Sequence, residues 1–290
     1  MDIVGGSSVV RGVRDRLGAV IFERVAGSEG DKRRERIANA TGDRWFAEDR
    51  PIRRVHADPS MFVGGLRALL LQSLHPLAMA GVAEHSDYKS DPWGRLQRTG
   101  HFLAVTTFGT AKDAEQAVAM VQSIHQRVRG TAPDGRPYSA GDPHLLRWVH
   151  VAEVDSFLTT YQRFSGSPLD RAGRDGYVAD TARVAEALGI EAPPQTEAEL
   201  RDQLNAFRPE LESTPAARES ARYLLLKPPV PWFARPPVAV LQAAAVASLP
   251  AWARWPLRLP FVPVTEATVV QASGRALVRS IGWAIGSQAA

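Results

Sequence analysis

Apolar side chains recur at helical spacing along most of the 290-residue chain. The segment 60–85 is long and mostly apolar, and it is interrupted at Pro76. Strand signals are nearly missing, because there is no Asn-Gly turn and no convincing alternation of β-branched residues. The pattern predicts an all-α fold of about eight or more helices, which include 60–85, 111–128, 143–164, 170–188, 196–207, 215–226 and 264–286.

Proline pairs mark several of the predicted helix starts. Asp58-Pro59, Asp91-Pro92, Asp142-Pro143 and Thr214-Pro215 each place an N-cap acceptor before a proline at the first helical position. Together with the apolar period, these signals predict a single globular helical domain over residues 51–290. Residues 1–50 are expected to form a peripheral N-terminal arm or short helices.

The connector 129–143 interrupts the helical pattern. Pro133-Asp134-Gly135 is a turn signal, and Asp142-Pro143 closes the segment by starting the next helix. It reads either as a plain connector or as a rigid loop that forms a pocket wall.

The chain has no cysteine. This excludes disulfides, thiolate metal sites, a cysteine nucleophile and a covalently attached c-type haem. Any metal must therefore be held by histidine, carboxylate, tyrosine or methionine side chains.

The formal net charge is +4, and the basic residues are mostly arginine. The one dense basic run, KRRER (32–36), is read as a solvated face, so we expect no nucleic-acid partner. The N-terminus has no apolar signal-peptide core, and we expect a cytoplasmic protein.

The most apolar segment is 238–257. Pro250, Arg254 and Pro256 interrupt it, so it is too broken to span a bilayer. A buried core helix is the favoured interpretation. Its tryptophan and arginine content leaves open a peripheral membrane contact through an interfacial patch.

His150 lies on an apolar stripe. Leu146, Val154 and Phe157 lie four before, four after and seven after it, so all four share one helix face. A buried imidazole needs partners for its nitrogens. A lone histidine of this kind is more often a hydrogen-bonded core residue than a metal ligand. If a metal binds one nitrogen, then Glu153, Asp155 or a backbone carbonyl could orient the ring.

A second group of polar side chains lies on the helix that Asp91-Pro92 starts. Arg95, Arg98 and Thr99 share a face with Phe102. This face could stabilise an anionic oxygen species or a substrate carbonyl. The alternative is an exposed basic stripe that pairs with acids.

Further histidines and acids accompany Pro76. His75 directly precedes the proline and is read as structural. Glu84, His85 and Asp87 form a cluster that suits a metal or a base, or simply a polar helix end. Nucleophile-elbow, P-loop, dinucleotide and di-iron motifs are all missing from the sequence. Among metal-based options, haem fits best because it needs only one histidine on an apolar helix.

Four segments carry a family resemblance. They are LHPLAMAGVAEHSD, DPWGRLQRT, RGTAPDGRPYSAGDP and LLRWVHVAEVDSFL, and they span roughly residues 55–190. The chain resembles the MpaB-type and rubber-oxygenase family, which includes latex clearing protein. The resemblance implies an all-helical, globin-related core that binds haem b without a covalent link.

The resemblance also implies roles for residues. His150 matches the axial iron ligand, and Arg95, Arg98 and Thr99 match distal polar residues. Arg98 stands where latex clearing protein has a lysine, and an arginine cannot lose its proton to ligate iron. Glu84 is a weak match for the family's distal carboxylate.

The function implied by the resemblance is that of a haem-b dependent oxygenase. It would use dioxygen on a small apolar, unsaturated, isoprenoid-like substrate, with oxidative C=C cleavage as the expected reaction. The alternative from another class is a non-catalytic haem- or lipid-binding helical module.

Overall fold

Side-chain caps begin most of the long helices. In the computed structural model, which describes residues 14, 18–19, 23–24 and 26–286, Asp91 accepts from the Gly94 amide, Asp142 from His144 and Thr214 from Ala217. Asp58 behaves differently, because its carboxylate accepts from the Ser60 amide in a turn and the helix begins at Met61. Three of the four predicted caps are therefore helix N-caps.

The described residues are mostly helical and form one globular domain, as the apolar period predicted. The helices and strands are α1 (Gly30–Asn39), α2 (Pro51–Ala57), α3 (Met61–Gln72), α4 (Pro76–His85), α5 (Pro92–Phe108), α6 (Ala111–Arg127), β1 (Arg129–Thr131), β2 (Pro137–Ser139), α7 (Pro143–Phe164), α8 (Arg171–Ala187), α9 (Glu197–Ala206), α10 (Pro215–Leu226), α11 (Arg235–Ser248), α12 (Ala251–Arg254), α13 (Pro263–Thr265) and α14 (Gln271–Ile285). A π-helical turn, Glu266–Val270, joins α13 to α14, and Arg208–Glu210 and Trp232–Ala234 form short 3-10 helices.

Helix α7 is the centre of the domain. It packs closely along α3 and also contacts α8 and α9. Gly64 allows the close approach, because a Cβ atom there would lie 2.7 Å from Phe157 Cδ1 and 2.7 Å from Thr160 Oγ1. The side chains of Trp148, Val151 and Phe164 are fully buried in this core.

A buried arginine ties three helices together. Arg67 of α3 donates from Nε to the Ser248 carbonyl at 2.9 Å and from Nη1 to Ser156 Oγ at 2.6 Å. Its Nη2 lies 2.7 Å from Asp155 Oδ2. Each donor group therefore has a partner, as a charge removed from water requires.

The connector after α6 contains a β-hairpin that the sequence pattern did not indicate. Strand β1 pairs antiparallel with β2, and Gly130 faces Tyr138. The predicted turn at Pro133-Asp134-Gly135 joins them, with Gly135 at a φ of +86°. Each strand has only three residues, which is too short for an alternating pattern to be visible.

The predicted N-terminal arm, residues 1–50, lies partly outside the described residues. From residue 26 onward it includes α1, and Trp45 and Phe46 pack into the main core. The Arg44 backbone also forms an isolated bridge with Thr110, at the start of α6.

The apolar segment 238–257 divides at its prolines. The end of α11 is buried at Ala244, Ala245 and Val246, whereas Trp255 is 87% exposed. No helix within the described ranges is by itself long and apolar enough to cross a membrane. The pair α3 and α4 reaches that length and composition only together, across a 109° bend.

Candidate functional site

His150 lies in the interior, in the middle of α7. Its Nε2 atom is buried and has no hydrogen-bond partner among the described residues. Desolvation lowers the pKa of His150 to about 4, so the ring is neutral at pH 7. A neutral, unpartnered imidazole nitrogen of this kind is a ready ligand for a metal.

Glu153 lies one helical turn beyond His150 on the same side of α7. Desolvation raises the pKa of Glu153 to about 7. A carboxyl group with this pKa exchanges its proton near neutrality, which suits a general acid or base. Its location allows it to act close to the His150 ring.

Helices α2, α5 and α8 add polar side chains to the same interior. His56 Nδ1 lies 2.8 Å from Thr107 Oγ1, and His56 Nε2 lies 3.3 Å from the Tyr177 hydroxyl. Desolvation lowers the pKa of His56 to about 3. The His56 ring also packs edge-on against Phe157, which lies two turns after His150 on α7.

Tyr177 links this group to Glu153. Burial, followed by the negative charges of Glu153 and Asp180, raises the pKa of the Tyr177 hydroxyl well above its usual range. His56, Thr107, Tyr177, Phe157 and Glu153 therefore converge from four helices on one region, which we call the interior polar cluster.

Three titratable side chains in this region are partly rather than fully buried. His56, His150 and Glu153 keep part of their surface accessible, yet desolvation dominates the pKa of each. Desolvation is the cause of all three shifts, so the pKa values report the protein surroundings of these groups rather than a neighbouring charge.

Asp155 points away from His150. Its carboxylate forms the ion pair with Arg67 described above. A residue five positions along a helix lies on the far side from His150, which agrees with that contact. The structure thus places Asp155 in the α3–α7 interface.

Arg95, Arg98 and Thr99 lie in the first half of α5. Arg95 is half-buried, and its Nη1 donates to Ser86 Oγ at 2.6 Å. Desolvation, and then the charge of Arg98, lowers the pKa of Arg95. Arg98 is exposed and lies 3.2 Å from Asp91 Oδ2, and Thr99 is also exposed. Of these three residues, only Arg95 extends into the protein.

Glu84 lies at the end of α4, against the hairpin. Its carboxylate accepts a hydrogen bond from the Tyr138 hydroxyl, whose oxygen is also 3.1 Å from His85 Nε2. Burial and this hydrogen bond raise the pKa of Tyr138 to about 12. Glu84, His85 and Tyr138 therefore form a separate polar group, while Asp87 lies in the following turn.

The sequence interpretation did not identify His56, Thr107 and Tyr177. They lie far apart in the chain and meet only through the packing of α2, α5 and α8. The local signal was weak, because His56 is the second-to-last residue of a seven-residue helix.

The fold is mostly helical, and partly buried titratable side chains from several helices converge in its interior. Residues 53–283 match the family described as ER-bound oxygenase mpaB/B'/rubber oxygenase, catalytic domain. The chain belongs to this family, which confirms the resemblance.

Two curated mycobacterial proteins are similar to the chain. Uncharacterized proteins of Mycobacterium tuberculosis (strain ATCC 25618 / H37Rv) and Mycobacterium bovis (strain ATCC BAA-935 / AF2122/97) are each 33% identical to it over 99 residues. The matched region is 34% of this chain and 38% of each relative. No solved structure matches the chain.

Proposed function

We propose that the protein is a haem-b dependent oxygenase that acts on an apolar, unsaturated, isoprenoid-like substrate. The observation that carries this proposal is the buried His150 Nε2, which has no partner among the described residues. Leaving such a nitrogen without a hydrogen bond costs about 1–3 kcal/mol. An iron–imidazole bond would remove that cost.

The residues around His150 fit a non-covalent haem. The ring is neutral at pH 7, as ligation requires, and the α7 residues on its face include Leu146 and Phe157. The lack of cysteine is consistent with haem b held by one histidine. When bound, the haem would supply an iron that activates dioxygen. In this proposal the core around His150 is the globin-related one that the family resemblance implies.

The chain's own acid–base groups would serve the reaction. The Glu153 carboxyl can hold or release a proton near pH 7, and the Tyr177 hydroxyl stays protonated. The lowered pKa keeps His56 neutral at pH 7, and its ring nitrogens lie beside the hydroxyls of Thr107 and Tyr177. The ring could therefore pass a proton between these hydroxyls without keeping a positive charge. These groups give the interior a single readily exchangeable proton, at Glu153.

Arg95 is the best placed of the predicted distal residues. Its contact with Ser86 fixes the guanidinium, which remains charged because arginine does not lose its proton in proteins. A fixed, partly desolvated cation stabilises negative charge that develops on a reacting oxygen. Arg98 and Thr99 would act at the entrance to the site, since both are exposed.

Oxidative cleavage of a C=C bond balances without a further reductant. The double bond breaks, each carbon receives one atom of dioxygen, and two carbonyl groups form. We expect the purified, haem-loaded protein to consume dioxygen with squalene and to yield carbonyl products, and not with the saturated analogue squalane.

Arg95→Leu should lower the rate of this reaction, and Arg98→Leu should lower it less because Arg98 is exposed. A haem-loaded protein that consumes no dioxygen with any unsaturated chain would favour the non-catalytic haem- or lipid-binding module instead.

The peripheral membrane contact is a second part of the proposal. We call residues 226–264 the aromatic stretch, because the side chains of Trp232, Phe233, Trp255 and Phe261 in it are mostly exposed. No Asp or Glu occurs between Glu219 and Glu266, whereas Arg222, Lys227, Arg235 and Arg258 are exposed there. Exposed aromatic rings beside several exposed cations suit the surface of an anionic bilayer.

A cleft adjoins the aromatic stretch. It has a volume of about 470 Å³ and lies between α10, α11 and residues 257–270. Its walls include Leu225, Val246 and Leu257, and Arg222 and Arg258 lie among the lining residues. An apolar substrate that dissolves in a membrane would be presented to the protein on this side.

A further inference from the structure

A cluster of potential metal ligands lies outside the interior polar cluster. His75, His144 and Glu210 each offer a ligand atom, and these atoms all lie within 4.8 Å of one another. They come from the residue before α4, the first turn of α7 and the 3-10 helix after α9.

His75 forms the floor of this cluster. Its side chain is 2% exposed, and neither ring nitrogen has a hydrogen-bond partner within the part of the chain that the structure describes. Its Nε2 lies 3.5 Å from Glu210 Oε2, but not in hydrogen-bonding alignment. The ring is held by packing near Trp148 and Phe207, with centroid distances of 6.2 and 6.4 Å. A buried imidazole without an aligned hydrogen bond is costly, and a metal bound to Nε2 would reduce that cost.

His144 and Glu210 form the rim. His144 Nε2 lies 2.8 Å from Glu210 Oε2, and the two side chains are about half exposed. The amide of Glu212, two residues on, donates to the Leu74 carbonyl at 2.8 Å, which holds the Glu210 segment beside His75. An ion could therefore enter from solvent and reach all three ligands.

We infer that His75, His144 and Glu210 bind a divalent transition-metal cation of the zinc class. Two imidazoles and one carboxylate are a common zinc donor set, with water in the remaining position. Zinc bonds of about 2.0–2.2 Å place neighbouring ligand atoms about 3.3 Å apart. The 2.8 and 3.5 Å distances to Glu210 are within a few tenths of an ångström of this value, and the two imidazoles offer ligand atoms within 4.8 Å of each other.

The charged groups near the cluster do not prevent a cation from binding there. Arg136 is close enough to act on His75 electrostatically, but its own guanidinium lies 2.7 Å from Asp134 Oδ2. The Glu210 carboxylate supplies the negative charge.

The metal site is independent of the proposed haem. His144 precedes His150 by six residues on α7, which is about 9 Å along the helix axis and a third of a turn around it. A bound cation would join the starts of α4 and α7 to the segment after α9. It would stabilise the folded protein by mass action.

The test is zinc titration of the full chain, with any affinity tag removed, followed by calorimetry. We expect the wild type to bind one Zn²⁺ per chain with micromolar or tighter affinity and to melt at a higher temperature with zinc. Glu210→Gln keeps the size and a polar contact with His144 but removes the charged ligand. It should weaken binding by about tenfold or more.

His75→Asn should abolish tight binding of zinc. If His75→Asn does not fold, the zinc affinity of Glu210→Gln remains the test. His101→Gln, which changes an exposed histidine on α5, is the matched control and should bind like the wild type. With Co²⁺ as a probe, the visible ligand-field absorption should be strong for the wild type and His101→Gln and weak for Glu210→Gln and His75→Asn. A wild type without stoichiometric binding below about 100 µM, or a Glu210→Gln variant that binds as tightly as the wild type, would overturn the assignment.

Discussion

His150 and Glu153 stand one turn apart on α7, and burial shifts their pKa values in opposite directions. It lowers that of His150 to about 4 and raises that of Glu153 to about 7. The same desolvation favours the neutral form of both groups. At neutral pH the interior therefore holds a neutral imidazole beside a carboxyl group that is about half ionised.

The Glu153 shift predicts a pH-dependent stability of the haem-free protein. Glu153 loses its proton near pH 4.5 when unfolded and near pH 7 when folded. Below about pH 4.5 Glu153 is protonated in both the folded and the unfolded protein, so its burial does not reduce the free energy of unfolding. This advantage is lost as the pH rises through about 7, because ionisation of Glu153 then favours the unfolded chain. Glu153→Gln should therefore gain up to about 3 kcal/mol on the wild type between pH 4.5 and 8.

Urea unfolding of both proteins at several pH values measures this gain. His150 acts in the opposite sense, since its folded pKa is depressed: its contribution is complete above about pH 6.5 and is lost as the pH falls through about 4. The contribution of His150 is the same in the wild type and in Glu153→Gln, so it does not affect the difference between them. A stability difference that stays constant with pH would contradict the assignment of Glu153 to a desolvated interior.

At the residue scale, the sequence indicated individual candidate side chains but not the residues that contact them. The apolar stripe predicted an inward-facing His150, and the structure buries its Nε2 atom while the residue as a whole is partly buried. It did not reveal the contact between His56 and Tyr177, which are 121 positions apart. Asp155 was considered as a partner of His150, but its contact with Arg67 depends on how α3 crosses α7. Such contacts depend on the packing between helices, which a local sequence pattern does not reveal.

At the scale of elements, caps and prolines determined where most helices begin. Helix α7 begins at Pro143 and ends at Phe164, as the sequence predicted. The hairpin was missed because each strand has three residues and its pairing depends on the Pro133-Asp134-Gly135 turn. Helix start signals are local and strong, whereas a short strand is defined mainly by its partner.

The α3–α7 crossing gives a prediction with a neighbouring control. Gly64→Ala would place a Cβ atom 2.7 Å from Phe157 Cδ1, so the helices must separate. We expect a loss of about 1–3 kcal/mol in the free energy of unfolding. Gly65→Ala meets nothing within 4 Å and should be neutral or stabilising by up to about 1 kcal/mol.

Thermal or urea unfolding distinguishes these two variants. The helical propensity gained is the same in both, so their difference isolates the close approach of α3 and α7. Equal stability of the two variants would show that the helices do not meet at Gly64.

At the scale of the whole molecule, the polar and apolar features are distributed unevenly. The interior polar cluster is set by α2, α5, α7 and α8, whereas the exposed aromatic rings lie in the later part of the chain. The sequence predicted a helical fold and, over residues 238–257, a buried core helix with an interfacial patch as the alternative. It could not show that α11 is buried at one end while Trp255 stays exposed, because burial depends on the packing of the whole domain.

The membrane proposal predicts binding to anionic vesicles. Vesicles of phosphatidylcholine with phosphatidylglycerol should sediment with the protein more than vesicles of phosphatidylcholine alone, and added salt should weaken binding. Replacement of both Trp232 and Phe233 by serine should reduce binding. Met120→Ser removes an exposed apolar side chain elsewhere, on α6, and is the matched control. Equal sedimentation of all three proteins would exclude the aromatic stretch as the contact.

Haem binding by His150 is tested by a haem titration that is followed by visible absorption. The wild type and His101→Ala should each take up one haem b per chain and develop an intense band near roughly 400 nm. His150→Ala should remain folded by circular dichroism and should lose that band or show a shifted one. A wild type that takes up no haem, or a His150→Ala variant whose spectrum is unchanged, would contradict the account.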